Sequence, residues 1–115
     1  MKLTKADYEF FKEECEFWIN EFQLNDWAIY YEWNKIIEID SQTYIKGGCG
    51  IATISLNKNI DFYKPKNDYL KVLAKHEVVH CLIGKYTYLA RLRFVNDDEL
   101  NSEEEHLVNK LVKII

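Results

Sequence analysis

The chain has 115 residues, of which 48% are hydrophobic and 15% aromatic, with one proline and four glycines. This composition predicts a single globular domain over residues 1–115 and excludes a disordered protein. The formal net charge of −4 argues against nucleic acid as a principal partner, because phosphate binding normally needs a concentrated basic patch. No run of eighteen apolar residues occurs, so we expect no membrane-spanning segment.

The cysteines are odd in number and widely spaced, at Cys15, Cys49 and Cys81. The N-terminus lacks the apolar stretch of a signal peptide, so we expect reduced thiols and a cytoplasmic protein. No CxxC pair occurs, which excludes a zinc ribbon built from cysteines.

The first third of the chain predicts an amphipathic helix. Thr4 and Asp7 resemble a capping box, with Asp in place of the usual Glu or Gln. The helix is predicted over about residues 4–23, because apolar residues recur there at steps of three and four. They are Tyr8, Phe11, Cys15, Trp18, Ile19 and Phe22.

The hydrophobic period then changes to two, which predicts strands. The first strand covers residues 27–33, and another covers residues 51–56 and stops near Asn57. Between them, a strand is predicted over either Ile36–Ile39 or Tyr44–Ile45. The glycines at 47 and 48 form a turn signal before the last strand.

A loop over residues 57–67 precedes a second helix, which Asn67 or Asp68 can cap. Its apolar surface includes valines and leucines between residues 70 and 83, and Gly84 is a natural stop signal.

The last third of the chain predicts an irregular stretch over residues 85–96, followed by a helix that begins at Asp97 or Asp98 and runs to the end. The predicted order is therefore helix, three strands, helix, helix. That order is typical of a small α+β domain.

The second helix carries His76-Glu77-Val78-Val79-His80. Histidines at i and i+4 lie on one face of a helix, so both imidazoles can reach one zinc ion. A glutamate after the first histidine is suited to serve as general base for a zinc-activated water. We also expect this helix to be largely buried, where unpaired histidines would be costly. A structural histidine pair is the alternative.

A catalytic zinc usually has a third protein ligand. At about 100° per residue, Glu104 falls inside the apolar sector of the last helix, between Leu100 and Val108. A buried carboxylate there would need a strong partner, so Glu104 is the predicted third ligand. Glu103 and His106 stay open as alternatives.

HExxH followed by a glutamate on a later helix resembles the gluzincin arrangement of zinc metallopeptidases. More narrowly, the chain resembles small predicted metallopeptidases encoded by phages and prophages, and more distantly SprT-type proteases. The resemblance covers nearly the full length and rests on Leu24–Trp27, Ala52–Leu56, HEVVHCLIG at 76–84, Ala90–Val95 and Glu104–Leu111.

The resemblance implies a minimal zincin-like fold: an N-terminal helix, a small three-stranded sheet, the HExxH helix and a C-terminal helix. It also implies a bound Zn²⁺, a peptide or protein substrate, and residence in the host cytoplasm if the chain is phage-encoded. In zincins a strand near the metal helix pairs with extended substrate, and here Gly50–Leu56 would have that role. An ordinary core strand is the equal alternative.

The interpretation is thus a zinc metallopeptidase in which Glu77 is the general base. Four residues are candidates for oxyanion stabilisation or substrate contact, although each also has a structural explanation: Tyr86, Tyr88, Arg91 and Arg93. Two other hypotheses stay open. One is a non-catalytic binding module that keeps a zincin fold and its zinc, and the other is a purely structural zinc site.

Overall fold

The computed structural model describes residues 1–62, 64–92, 96–112 and 114, without the side chains of residues 34 and 112. The described part is an α+β structure with four helices and a small three-stranded mixed sheet. The elements are α1 (Lys5–Glu21), β1 (Ala28–Lys35), β2 (Ser41–Ile45), β3 (Ile51–Asn57), α2 (Lys66–Leu82), α3 (Gly84–Arg91) and α4 (Asp97–Val112).

The predicted capping box at the start of α1 is confirmed. The Thr4 hydroxyl accepts the Asp7 N–H at 3.2 Å, and the Asp7 carboxylate accepts the Thr4 N–H at 2.9 Å. The Lys66 ammonium at the start of α2 lies 2.8 Å from the same carboxylate. Burial by itself raises the pKa of Asp7, but Lys66 and the Thr4 donors outweigh it, so this pKa lies below its ordinary value.

The sheet has the strand order β1-β3-β2, with β3 parallel to β1 and antiparallel to β2. Both edges of β3 are therefore paired: Thr53, for example, lies opposite Tyr30 on one side and Tyr44 on the other. Of the two equal alternatives for Gly50–Leu56, the open edge for a substrate is wrong and the ordinary core strand is confirmed. The edge strand that contacts α2 is β2.

The second strand contains the Tyr44–Ile45 alternative and begins earlier, at Ser41, whereas residues 36–39 form no strand. A buried side chain explains the difference. The amide of Asn57 donates hydrogen bonds to the carbonyl oxygens of Ile37 and Ile39, at 2.9 and 3.0 Å. These bonds satisfy the carbonyls of the 36–39 segment in a connection instead of a strand ladder.

The core forms where the inward face of β3 meets α1 and α2. Alternate residues of β3 are nearly inaccessible, as the predicted period of two requires. Together with residues of the predicted α1 stripe and one face of α2, they form one hydrophobic cluster that includes Ala52, Ile54, Leu56, Phe11, Cys15, Leu70, Ala74 and Val78. No helix in the described ranges is both long and apolar enough to cross a membrane.

Two helix boundaries differ from the prediction. The second helix begins at Lys66 with Pro65 as its N-cap, so neither Asn67 nor Asp68 caps it. The predicted irregular stretch is largely helical, because α3 starts at Gly84, two residues after α2 ends.

Gly84 allows this tight junction to lie against the sheet. A Cβ at this position would lie 2.7 Å from the Ile45 side chain and 3.1 Å from the Trp27 ring. The glycine therefore permits a close approach of two elements, where its sequence context suggested only a helix end.

Candidate metal centre and active site

The two histidines of the HExxH segment are brought together on α2. Their Nε2 atoms lie 3.3 Å apart, and the ring planes are inclined at 80° with centroids 4.9 Å apart. Both side chains are exposed, so the expectation that they lie on a buried part of the helix is wrong. The buried face of α2 is formed instead by Leu70, Ala74, Glu77, Val78, Cys81 and Leu82.

Glu77 points the other way, into the space between α2 and β2, and only 2% of its surface is accessible. The Ser41 hydroxyl donates to Oε2 at 2.5 Å, and the Thr43 hydroxyl lies 2.7 Å from Oε1 and 3.1 Å from the Glu77 carbonyl oxygen. Both carboxylate oxygens thus have a partner from β2. This satisfies a polar group whose burial would otherwise be costly.

Sequence reasoning missed both hydroxyl residues, Ser41 and Thr43. Side chains two positions apart on a strand lie on the same face, so a strand that began at Ser41 would have placed Ser41, Thr43 and Ile45 together facing α2. The predicted strand covered only Tyr44–Ile45 in this region.

A cleft lies beside His80, between β2 and the α2–α3 junction. It has a volume of about 390 Å³, and we call it the β2–α3 cleft. Residues from both sides line it, among them Thr43, Ile45, His80, Thr87, Tyr88 and Arg91. The structure thus brings two of the predicted substrate contacts, Tyr88 and Arg91, to the same cleft as one predicted zinc ligand.

The other two predicted contacts do not share this position. Tyr86 is partly exposed on α3 and does not line the cleft. Arg93 lies outside the described residues.

The structure does not bring the predicted third ligand to the histidine pair. Glu104 is exposed, and the residues around it are incompletely covered: Val108 is 43% and Leu111 37% accessible. The premise that Glu104 lies on a buried face is therefore wrong. Across the described ranges, no group of three or more His, Cys, Asp or Glu side chains is arranged to hold a metal ion.

The alternative third ligands occupy a different groove. Nδ1 of His106 lies 3.7 Å from Oε1 of Glu103. Both residues line a groove of about 330 Å³ between α4 and the turn after α1. This groove also contains Lys85 and Lys110, and neither His76 nor His80 lines it. The third ligand stays a prediction for Glu104 and its two alternatives alike.

Two of the three thiols are unsuited to metal binding or nucleophilic chemistry. Cys15 and Cys81 are fully buried. Burial, followed by the charge of Glu77, raises the pKa of Cys81 to about 12, and the same two causes raise the pKa of Cys15 further. Because the thiolate is the reactive form, both side chains have a packing role. Cys49 is exposed.

Comparison of the chain with protein-family models, with curated proteins and with solved structures finds no match. The resemblance to gluzincins and to phage-encoded metallopeptidases therefore stays a prediction.

Proposed function

We propose that the chain is a zinc-dependent hydrolase of the HExxH metallopeptidase class, with a minimal zincin-like fold, as the sequence resemblance implies. One observation carries the proposal, the 3.3 Å separation between Nε2 of His76 and Nε2 of His80. Two nitrogen ligands at about 2.0–2.1 Å from a tetrahedral zinc lie about 3.3–3.4 Å from each other. The pair therefore has the spacing that such an ion requires.

Exposure of the pair also supports this assignment. Both rings are accessible, so an ion can reach them from solvent without opening the core. A hydrogen bond between two neutral rings accounts equally for the 3.3 Å distance, which makes metal binding the deciding measurement. His76 and His80 would hold the zinc, with Glu104 as the proposed third ligand. When bound, zinc would polarise the substrate carbonyl and activate a water molecule.

Glu77 would act as general base, taking a proton from the attacking water and passing it to the leaving amine. A carboxylate oxygen can accept more than one hydrogen bond, but burial of Glu77 leaves little room for an additional partner. Catalysis by Glu77 therefore requires one of its oxygens to exchange a β2 hydroxyl for the attacking water. Thr43, which is only half-buried, is the partner more open to exchange.

The substrate would be an extended peptide or protein segment paired with β2. This strand bonds to β3 on one side and has no second strand partner among the described residues. Its free edge can form main-chain hydrogen bonds with an added strand. Substrate on β2 would lie next to the β2–α3 cleft and His80.

Zinc binding by the purified full chain tests the first part of the proposal. We expect one zinc per chain in the wild type and loss of zinc in His76→Ala and in His80→Ala. The matched control is Lys71→Ala, because Lys71 is also exposed on α2 but lies outside the HExxH segment. A chain that binds no zinc, or binds it equally without the pair, would contradict the proposal.

Cleavage of a broad peptide library by the zinc-loaded protein tests the second part. Glu77→Gln should keep the metal and lose hydrolysis, since the amide retains hydrogen-bonding groups but cannot serve as base. Full activity in this variant would refute the mechanism.

A comparison of neighbouring carboxylates tests the third ligand. Glu104→Ala should weaken zinc binding, whereas Glu105→Ala should not. Both residues are exposed on α4, and each substitution removes one carboxylate from that helix. The two variants therefore have the same change of charge. Equal zinc affinities in the two variants would remove Glu104 from the site.

A non-catalytic binding module that keeps the zinc site is a second candidate. The observation that favours it is the environment of Glu77, whose two oxygens are both engaged in the interior. Such an arrangement suits a structural acid that joins α2 to β2. Zinc binding without cleavage of any library peptide would support this function over the first.

A further inference from the structure

The β2–α3 cleft contains a cation that has no counter-ion among the described residues. The guanidinium of Arg91, on the last turn of α3, makes no ion pair with any residue that the structure describes. No aspartate or glutamate from the described ranges lines this cleft. Its other polar lining groups include the hydroxyls of Thr87 and Tyr88 and the imidazole of His80. The described residues that line the cleft are thus positive or neutral, in a chain whose net charge is −4. The buried Glu77 carboxylate lies behind this lining, 2.7 Å from the Thr43 hydroxyl.

The shape of the cleft depends on two glycines. A Cβ at Gly48 would lie 2.8 Å from two ring atoms of Tyr88, so the missing side chain allows that ring to pack on the turn after β2. Gly84 similarly allows the start of α3 to approach Ile45 of β2. These close approaches position the walls of the cleft, which Tyr88 and Arg91 both line.

We propose that the β2–α3 cleft binds a carboxylate of the substrate peptide and that Arg91 determines this preference. The proposal rests on the proposed function and adds the class of substrate, a peptide with an acidic side chain or a free C-terminus near the bond that is cleaved. Guanidinium and carboxylate groups have complementary, bidentate geometry. Hydroxyls from Thr87 and Tyr88 supply further donors on the same wall.

Because Arg91 is exposed, the preference is moderate. Exposed ion pairs are weakened by solvent and salt, and we expect a carboxylate to improve binding about three- to tenfold over the matching amide. The preference should decrease as ionic strength rises.

The experiment measures binding of labelled peptides to the full chain, by fluorescence anisotropy, with and without zinc. Four peptides share one sequence and differ in two features: Glu or Gln at one internal position, and a free or amidated C-terminus. The variants are Arg91→Gln and the control Lys85→Gln. Lys85 is a cation on the same helix, α3, but it lines the groove that contains Glu103 and His106.

We expect wild type and Lys85→Gln to prefer the acidic peptides, and Arg91→Gln to bind all four alike. A preference that follows the internal residue identifies a side-chain carboxylate, and one that follows the free terminus identifies the C-terminal carboxylate. Equal binding of acid and amide by the wild type, a preference that persists in Arg91→Gln, or no measurable binding of any peptide would each overturn the proposal.

This outcome is separable from the test of the zinc site. Selective binding of carboxylates by a chain that takes up no zinc would leave the cleft assignment standing and refute the metallopeptidase. Zinc uptake and cleavage without a carboxylate preference would support the metallopeptidase and refute the cleft assignment.

Discussion

The hydroxyl of Thr43 provides a quantitative test of how Glu77 is held. Replacing Thr43 with Val keeps the size and β-branching of the side chain but removes the donor 2.7 Å from Oε1 of Glu77. A buried acceptor left without a partner costs about 1–3 kcal/mol. Because Thr43 is half-buried and water can replace part of the contact, we expect the free energy of unfolding to fall by about 1–2 kcal/mol.

Urea unfolding followed by tryptophan fluorescence measures this change. Thr53→Val is the control, because Thr53 also lies in the sheet but on the face away from the core and without a side-chain hydrogen bond to a described residue. In a Glu77→Leu background the Thr43→Val effect should largely disappear, as a double-mutant cycle requires of a direct contact. A Thr43→Val loss no larger than that of the control would refute the claim that β2 holds Glu77.

Three further measurements test other parts of the structure. Ile54→Ala, at a fully buried position of the central strand, should lower the free energy of unfolding by about 2–5 kcal/mol in urea; a loss under about 1 kcal/mol would contradict its place in the core. Asp7→Asn should destabilise the chain at pH 7, and the deficit relative to wild type should shrink as pH falls below about 4 and vanish only below the folded-state pKa of Asp7. The reason is that the lowered pKa of Asp7 gives stability that is present above the unfolded-state pKa and is lost as pH falls through the folded-state pKa. A thiol reagent at pH 8 should modify Cys49 rapidly in the native chain and the two buried thiols only on unfolding; rapid modification of all three would contradict their burial.

The features of the site that the sequence predicted correctly are local ones. Placing His76 beside His80 needs only the geometry of one helix turn, and the capping box at Thr4 and Asp7 needs only four residues. The alternation at 51–56 likewise identified the buried face of β3, because the period of a strand is an intrinsic property of the chain.

The features that could not be predicted depend on contacts between distant residues. The helical wheel correctly placed Glu104 among apolar neighbours, but it cannot show whether another element covers that sector. Here Val108 and Leu111 remain more than a third accessible. Strand order also cannot be read from a local pattern. The sequence therefore left β3 open as an edge strand, whereas in the structure both β1 and β2 pair with it. Asn57, which holds the carbonyls of Ile37 and Ile39, acts over about twenty residues of sequence separation.

The HExxH segment combines local helix geometry with contacts to residues distant in the sequence. Successive residues of a helix differ by about 100° in direction, so the same turn that exposes His76 directs Glu77 into the interior. There Glu77 contacts Ser41 and Thr43 on β2, the strand whose free edge is the proposed substrate site. Under the proposed mechanism, Glu77 and the substrate would therefore both contact β2. Glu77 would accept a hydrogen bond from the attacking water only after Ser41 or Thr43 gives up its own hydrogen bond to the carboxylate.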